Sequence, residues 1–411
     1  MSSDTVQAPD HAENQRPPRV QHATESPRQR FLLRELAHPK LAISNITPNW
    51  FASIMGTGIV ANAAAGLPLV APGLRGPATV IWMLAATLLV GLGGVTVAHW
   101  IGYRKTARSH HLNPVMSHFY GAPPMALLTV GAGTLLLGRD MIGLQAAVTV
   151  DAVLWALGTA LGLASAVAVP YLTFTRFEIA DDSAFGGWLM PIVPPMVSAA
   201  TGALLIPYVP AGQPRMTMLL ACYAMFGLSL VASLIVITLL WARLARHKVG
   251  AAAAVPTLWI VLGPLGQSIT AVNLLGGDAH LVFPAGWANA FVFLGVAFGV
   301  PVLGFALLWA ALALAITIRT ARQKLPFSLT WWSFTFPIGT CVTGITGLAL
   351  HTGSVVLQVM AILAFGGLLA GWITAAVRTF QGSVIRGTLF APPTPVAPMV
   401  RIDRTLASDL T

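Results

Sequence analysis

The chain has 411 residues, of which 56% are apolar and only 9% charged, and its formal net charge is +10; soluble domains carry roughly 25% charged residues. A soluble globular protein is excluded. The composition is that of a polytopic membrane protein, and its two cysteines, Cys222 and Cys341, lie in separate apolar runs and make neither a disulfide framework nor a thiolate metal site.

The first forty residues are polar, carry both signs of charge and lack an apolar core before a small-residue cleavage site. They predict a cytoplasmic polar tail over residues 1–46 rather than a secretory signal. Within it, Arg28 to Lys40 fits a short basic helix on an anionic membrane face and a solvated tail equally well. Ten apolar stretches follow, each near or beyond the length that crosses a bilayer. They run from about Pro48 to Leu67, Thr79 to Ile101, Ala122 to Leu137, Leu144 to Leu172, Trp188 to Pro207, Met216 to Trp241, Val255 to Leu275, Phe283 to Ile318, Thr330 to Leu350 and Val355 to Val377. The expectation is an all-α membrane protein with a ten-helix domain over residues 47–380 and a second cytoplasmic tail over 381–411.

An even number of spans puts both termini on one side, and the basic residues test that reading. Twenty Lys and Arg fall on the side of the termini, in the tails and in loops such as Arg104–Arg108 and Arg243–Lys248. Only Arg75, Arg139 and Arg215 fall opposite. The positive-inside rule therefore places both termini in the cytoplasm. The charge reports orientation in the cell (inner) membrane and is no nucleic-acid footprint, since nothing basic is interleaved with exposed aromatics.

Glycine and proline interrupt the odd-numbered spans. The clusters are Gly56-Thr57-Gly58, Gly121-Ala122-Pro123-Pro124, Pro191-Ile192-Val193-Pro194-Pro195, Gly263-Pro264-Leu265-Gly266 and Phe336-Pro337-Ile338-Gly339. Their spacing of about 70 residues is one helical hairpin with its loops, so the chain reads as five repeated hairpins. Proline inside a helix removes a backbone hydrogen bond, and in lipid the freed carbonyl needs protein or a wet cavity to satisfy it. The five broken helices are therefore expected inside, around a central pore, and the five smooth ones outside.

The spans hold no Lys or Arg, and their one clear acid is Asp151, so a ring of fixed charge is missing. Helix-break N–H groups, polar side chains and cytoplasmic basic charge then favour small inorganic or organic anions over cations. The pore-lining set on this reading is Gly56, Thr57, Gly58, Pro123, Pro124, Pro194, Pro195, Gly263, Pro264, Gln267, Ser268, Thr335, Pro337 and Thr340. Trp331 and Trp332 read as interfacial anchors, whereas Phe336 is open to two roles, ordinary packing and pore closure. His99, His118, His351 and Asp151 are candidates for carrying a coupling proton, because titratable groups at membrane depth are functional by default. The histidines near span ends can equally reach headgroups or water, and Asp151 lies on an even-numbered span, outside the predicted pore. Glu178, Asp181 and Asp182 read as a solvated loop. No GxxxxGK[ST] loop, HExxH pair or set of axial haem ligands is present. Neither an enzyme, a metal site nor a cofactor is expected.

Several motifs, in order, resemble the tellurite-resistance/dicarboxylate transporter family. They are Asn49-Trp50-Phe51 with Met55-Gly56-Thr57-Gly58, then Trp188-Leu189-Met190-Pro191, Leu262-Gly263-Pro264-Leu265-Gly266-Gln267-Ser268 and Trp331-Trp332-Ser333-Phe334-Thr335-Phe336-Pro337. The likeness extends from about Asn49 to Arg378. That family includes bacterial tellurite-resistance proteins, fungal malate permeases, sulfite efflux pumps and plant slow-type anion channels. The resemblance implies ten helices in five hairpins around a pore, commonly a homotrimer with one pore per subunit. It also implies a gating phenylalanine in a Thr-Phe-Pro context, which maps onto Phe336, with Phe334 as the reserve. The plant channels' long phosphorylated regions have no counterpart here. The implied function is transport of a C4-dicarboxylate such as malate, or of sulfite or a tellurite-related oxyanion. A passive chloride- or nitrate-type channel is the alternative, and the Met-Gly-Thr-Gly opening resembles the sulfite-efflux branch somewhat more.

Overall fold

The structure is a computed structural model that describes residues 32–36, 38, 40–67 and 73–390. Most of both predicted tails, and part of the Arg28–Lys40 segment, lie outside the described residues, which form helices and turns and no strand. The α-helices of ten residues or more are numbered in chain order: α1 Phe51–Gly66, α2 Arg75–Gly102, α3 Ala122–Gly133, α4 Leu144–Thr175 and α5 Pro194–Ala203. They continue as α6 Gln213–His247, α7 Leu262–Asp278, α8 Ala285–Ala321, α9 Phe336–Thr352 and α10 Val355–Phe380.

Eight helical stretches among the described residues are long and apolar enough to cross a bilayer: Arg75–Gly102, Met116–Ile142, Leu144–Thr175, Gln213–His247, Ala252–Leu281, Ala285–Ala321, Leu329–Thr352 and Val355–Ile385. The chain is a multi-pass membrane protein. The first and fifth predicted spans are not among these eight: the first is a 3-residue 3-10 turn running straight into the 16-residue α1, and the fifth has only the 10 residues of α5. Proline marks both segments. Pro48 opens a short 3-10 turn ahead of α1, and Pro191, Pro194 and Pro195 confine the fifth segment to a 3-10 turn at Gly186–Leu189, a break and then α5.

The breaks also differ in kind from mid-helix kinks. Pro123, Pro124, Pro194, Pro195 and Pro337 occupy the first turns of their α-helices, where a missing N–H has no intrahelical partner to lose. A 3-10 lead-in precedes four of these helices directly or across one residue: Pro48–Trp50, Met116–Gly121, Ala252–Val261 and Leu329–Phe334. Gly186–Leu189 leads into α5 across the Met190–Val193 break. Thr47, before Pro48, is extended, whereas Ala122 and Val193, before Pro123 and Pro194, are already helical, so at those two the proline sits in the first turn without bending the backbone out of the helix.

Burial alternates along the chain. In the spans that contain α3, α7 and α9, between 61% and 89% of the most apolar window is buried, and every residue of α5 is buried. The spans of α2, α4, α6, α8 and α10 have only 11–28% of that window buried, and they turn Val90, Phe174 and Phe293 outward, as a lipid-facing surface does. Helices α1, α3, α5, α7 and α9 touch in that order and α9 touches α1; the five lead-ins close the same circle. Small residues let backbones meet. A Cβ on Gly266 of α7 would stand 2.5 Å from the Thr340 carbonyl carbon of α9, and Gly158 and Gly162 of α4 receive Leu128 and Pro194 at i, i+4 spacing. At one end the two ends of the described chain join: the N–H groups of Leu33, Arg34 and Glu35 donate to the carbonyls of Val384, Ile385 and Arg386 at 2.8–3.1 Å. Phe390 stacks on Trp50 at 4.8 Å, and Asn45 Nδ2 donates to the Phe390 carbonyl.

Candidate functional site

The circle of buried helices encloses two cavities, one above the other. The first, at the end where the termini meet, has a volume of about 20 Å³, room for little more than one water. It is lined by Ala52, Met55, Phe119, Met125, Met190, Val193, Ile260, Gly263, Leu329, Trp332, Ser333, Phe336 and Pro337. Each of the five buried segments contributes. Among the described residues, Ser333 supplies its only polar side chain apart from the Trp332 indole, whose N–H is taken by Thr379 Oγ1 at 3.0 Å. An apolar hole of this size stays dry. Phe336, 2% exposed, opens α9 against it.

The second cavity, toward the other end, measures about 180 Å³. Its walls are Ile59, Asn62, Ala63 and Gly66 of α1; Ala132 and Leu136 in and after α3; and Ala200, Thr201 and Leu204 in and after α5. Gln267, Thr270 and Leu274 of α7 and Thr343, Thr346, Gly347 and Leu350 of α9 complete them. Gly66 and Leu350 at its rim are exposed. Hydroxyls and carboxamides therefore line an open vestibule, while thioethers and rings line the closed side. Among the described residues no ionisable side chain lines either cavity.

Of the residues singled out from sequence, Phe336, Gly263 and Pro337 line the closed cavity and Gln267 the open one. The others stand behind these walls. Gly56 faces Thr335 and Trp332, and Gly58 faces Thr129. The Thr57 hydroxyl donates to the Ser53 carbonyl (2.7 Å) and accepts from the Trp372 indole (3.1 Å), which turns it toward α10. Pro124 and Pro194 pack outward on α4, while Pro123, Pro195 and Pro264 line neither cavity. Ser268, Thr335 and Thr340 give their hydroxyl protons to backbone carbonyls three residues back, the ordinary fate of a hydroxyl on a helix in an apolar setting. Phe334 packs edge-on between Trp259 and Trp331 and against Gly371, away from both cavities.

The titratable candidates are dispersed. His99 is buried and donates from Nδ1 to the Ile43 carbonyl at 2.9 Å, stacked on His110. His110, on the connecting helix Arg104–His111, has its pKa pushed down to about 4 by burial and then by the neighbouring His99 and His111; burial also lowers that of His111. His118 is buried against Trp188 and Phe185. His351 donates from Nδ1 to Asn273 Oδ1 at 2.8 Å beside the vestibule rim, because Asn273 Nδ2 is already committed to the Ile269 carbonyl. Asp151 is fully buried against Gly131, and neither carboxyl oxygen has a hydrogen-bond partner among the described residues.

The sequence reading missed the methionines and Phe119 of the closed cavity, which look like ordinary core residues. It also missed Asn62, Thr201, Thr270, Thr343 and Thr346 of the vestibule. Helical phase carries the signal for these: Gln267, Thr270 and Leu274, like Thr343, Thr346 and Leu350, repeat at i, i+3, i+7 and share one face.

Comparison with known proteins agrees with this geometry. Residues 45–380 match the model of a family described as voltage-dependent anion channel (SLAC1). A sulfite efflux pump of Arthroderma otae is 29% identical over 84% of this chain and 92% of its own length. A protein of Methanocaldococcus jannaschii named only as an uncharacterized transporter is 28% identical over 73% of this chain and 82% of its own. A Candida albicans sulfite efflux pump is 24% identical over 76% and 66%. These names describe channels and transporters, not enzymes. With four-fifths of its length matched and its buried helices circling two polarity-sorted cavities, the chain belongs to the voltage-dependent anion channel family, and anion transport across a membrane is its work.

Proposed function

We propose that the chain moves small anions through a conduit formed by α1, α3, α5, α7 and α9, with Phe336 as the gate between the dry cavity and the vestibule. The observation that carries this reading is that all five segments line both cavities and that, among the described residues, neither wall carries a fixed charge. Hydroxyls and amides solvate an anion without binding it tightly, which conduction requires. The apolar cavity is the barrier, because an ion there loses its hydration with nothing to replace it. Opening requires the Phe336 ring to swing aside, and about 20 Å³ leaves it no space. Met55, Met125 and Met190 are flexible enough to give way.

The ten helices form five hairpins, the broken member of each facing the conduit and the smooth member facing lipid. Both termini face the cytoplasm, where twenty of the Lys and Arg residues fall. The subunits assemble as a homotrimer in the cell (inner) membrane, and the polar tails at 1–46 and 381–411 flank the domain over 47–380. Sulfite is the leading substrate, in view of the relatives named for its efflux; a C4-dicarboxylate such as malate is the wider alternative. His118, His99, His351 and Asp151 remain the groups available for proton coupling, His351 having the position closest to the vestibule rim.

Phe336→Ala in proteoliposomes is expected to raise anion flux about tenfold or more, the effect of removing about 1.4 kcal/mol from the barrier. Unchanged flux from folded protein would remove Phe336 as the gate. The family's description as an anion channel supports passive conduction as a second reading. An imposed pH gradient separates the two: a coupled carrier accumulates anion against its own electrochemical gradient, and a channel does not.

A further inference from the structure

Three polar groups on the vestibule wall have no hydrogen-bond partner among the described residues: the Gln267 carboxamide, Asn62 Oδ1 and Thr346 Oγ1. Gln267 is 4% exposed and lines the cavity, yet its carboxamide makes no hydrogen bond with any described residue. Other wall groups are engaged: Thr270 Oγ1 pairs with Thr343 Oγ1 at 2.7 Å, Thr201 donates to the Val197 carbonyl and Asn62 Nδ2 to the Thr129 carbonyl, which leaves Gln267 as the one unpaired group on this wall, among the described residues, that offers both N–H donors and a carbonyl acceptor. The polar atoms of Gln267 are not sealed off from the cavity, so its carboxamide is open to a ligand or to water.

Position narrows the choice. Gln267 lies four residues, one helical turn or about 6 Å, beyond Gly263, and Gly263 shares the closed cavity with Phe336. The amide is thus the last polar station before the closure. A carboxamide offers two N–H donors and one carbonyl acceptor. Nitrate or a halide uses only the donors, whereas an oxyanion that still carries a proton uses both. Charge points the same way: with no cation on the wall among the described residues, the desolvation penalty of an ion grows as the square of its charge, which disfavours a dianion.

We propose that Gln267 is a specificity-determining residue, which holds a singly charged, singly protonated oxyanion at the outer face of the closure by donating N–H bonds to its oxygens and accepting its O–H. The inference rests on the anion-conduit reading above and adds the substrate's protonation state to it.

The test uses full-length protein in proteoliposomes on a Phe336→Ala background, with hydrogen sulfite and nitrate as probes. Gln267→Met, similar in length and without hydrogen-bonding groups, is expected to raise KM for hydrogen sulfite about tenfold. The rise for nitrate should be about threefold or less, since nitrate forfeits fewer bonds. Wild-type flux between mildly alkaline and mildly acidic pH should follow the hydrogen sulfite concentration rather than that of the dianion. Equal KM changes for the two anions, no change for either, or flux that follows the dianion would overturn the proposal while the conduit stands. A Phe336→Ala protein that passes neither anion would overturn the conduit reading and this inference with it. If Gln267→Met does not fold, Gln267→Leu decides by the same criterion: a KM rise for hydrogen sulfite clearly larger than that for nitrate supports the assignment, and equal changes refute it.

Discussion

The indole N–H of Trp332 donates to the hydroxyl of Thr379 at 3.0 Å, with both residues buried. This bond fastens a wall of the dry cavity to the last turn of α10. Four residues later, Ser383 donates to the Thr379 carbonyl at 2.6 Å, just before the backbone that receives Leu33, Arg34 and Glu35.

Thr379→Val removes the partner of a buried donor and keeps the shape. It is expected to destabilise the protein by roughly 1–3 kcal/mol, read as a loss of stability in detergent unfolding, while Thr379→Ser stays close to wild type. A valine variant as stable as the parent would mean that the indole finds another acceptor.

Gly266 is where α7 and α9 meet backbone to backbone, and the two nearest atoms facing it belong to the main chain at Thr340 and Cys341, with the Thr340 hydroxyl next. Gly266→Val is expected to cost about 3 kcal/mol, at the upper end of overpacking penalties. Gly304→Ala, on α8 with nothing within 4 Å of its added methyl, should be neutral or slightly stabilising by helix propensity, up to about 1 kcal/mol. Equal thermal shifts for the two would contradict the tight α7–α9 contact.

His110 gives a pH dependence of definite sign. Burial first, then His99 and His111, lower its folded pKa to about 4 from 6.5. The unfolded chain therefore binds a proton that the folded chain refuses once pH drops below about 6.5. The stability is complete above that pH and is lost progressively toward about pH 4. Partial exposure screens the effect and keeps it small. Unfolding temperatures of wild type should fall more steeply across that window than those of His110→Gln, and parallel curves would refute the assignment.

Replacing Phe336 also separates closure from mere packing. A gate residue truncated to alanine gains flux, whereas a core phenylalanine of the same burial loses about 3–5 kcal/mol of stability with no gain in flux. Paired flux and unfolding measurements on Phe336→Ala therefore distinguish the two roles left open by the sequence.

The inside and outside helices were legible from proline and glycine alone, because an irregular backbone cannot face lipid. The turn chemistry was less so. Pro123, Pro194 and Pro337 mark where helices begin, and a helix start looks the same in sequence as a kink until the 3-10 lead-in is seen. Proline also fixes where a helix begins but not which way its next turns face. Hence Gly263, Gln267, Phe336 and Pro337 were found at the cavity walls, while Thr57, Ser268 and Thr340, chosen for their hydroxyls, spend them on nearby carbonyls. The closed cavity was hidden for a different reason: Met55, Met125 and Met190 have the same apolar character as any core residue, and only their convergence on one point distinguishes them.

The backbone seam between Leu33–Glu35 and Val384–Arg386, together with the contact of the last buried helix with the first, makes the choice of starting point on this circle arbitrary. A gene permuted so that a short linker joins Phe390 to Leu32 and new ends open at Ala211–Gly212, between α5 and α6, would encode the same circle of neighbours. Each inner helix would keep its partners, and only the order of their synthesis would change.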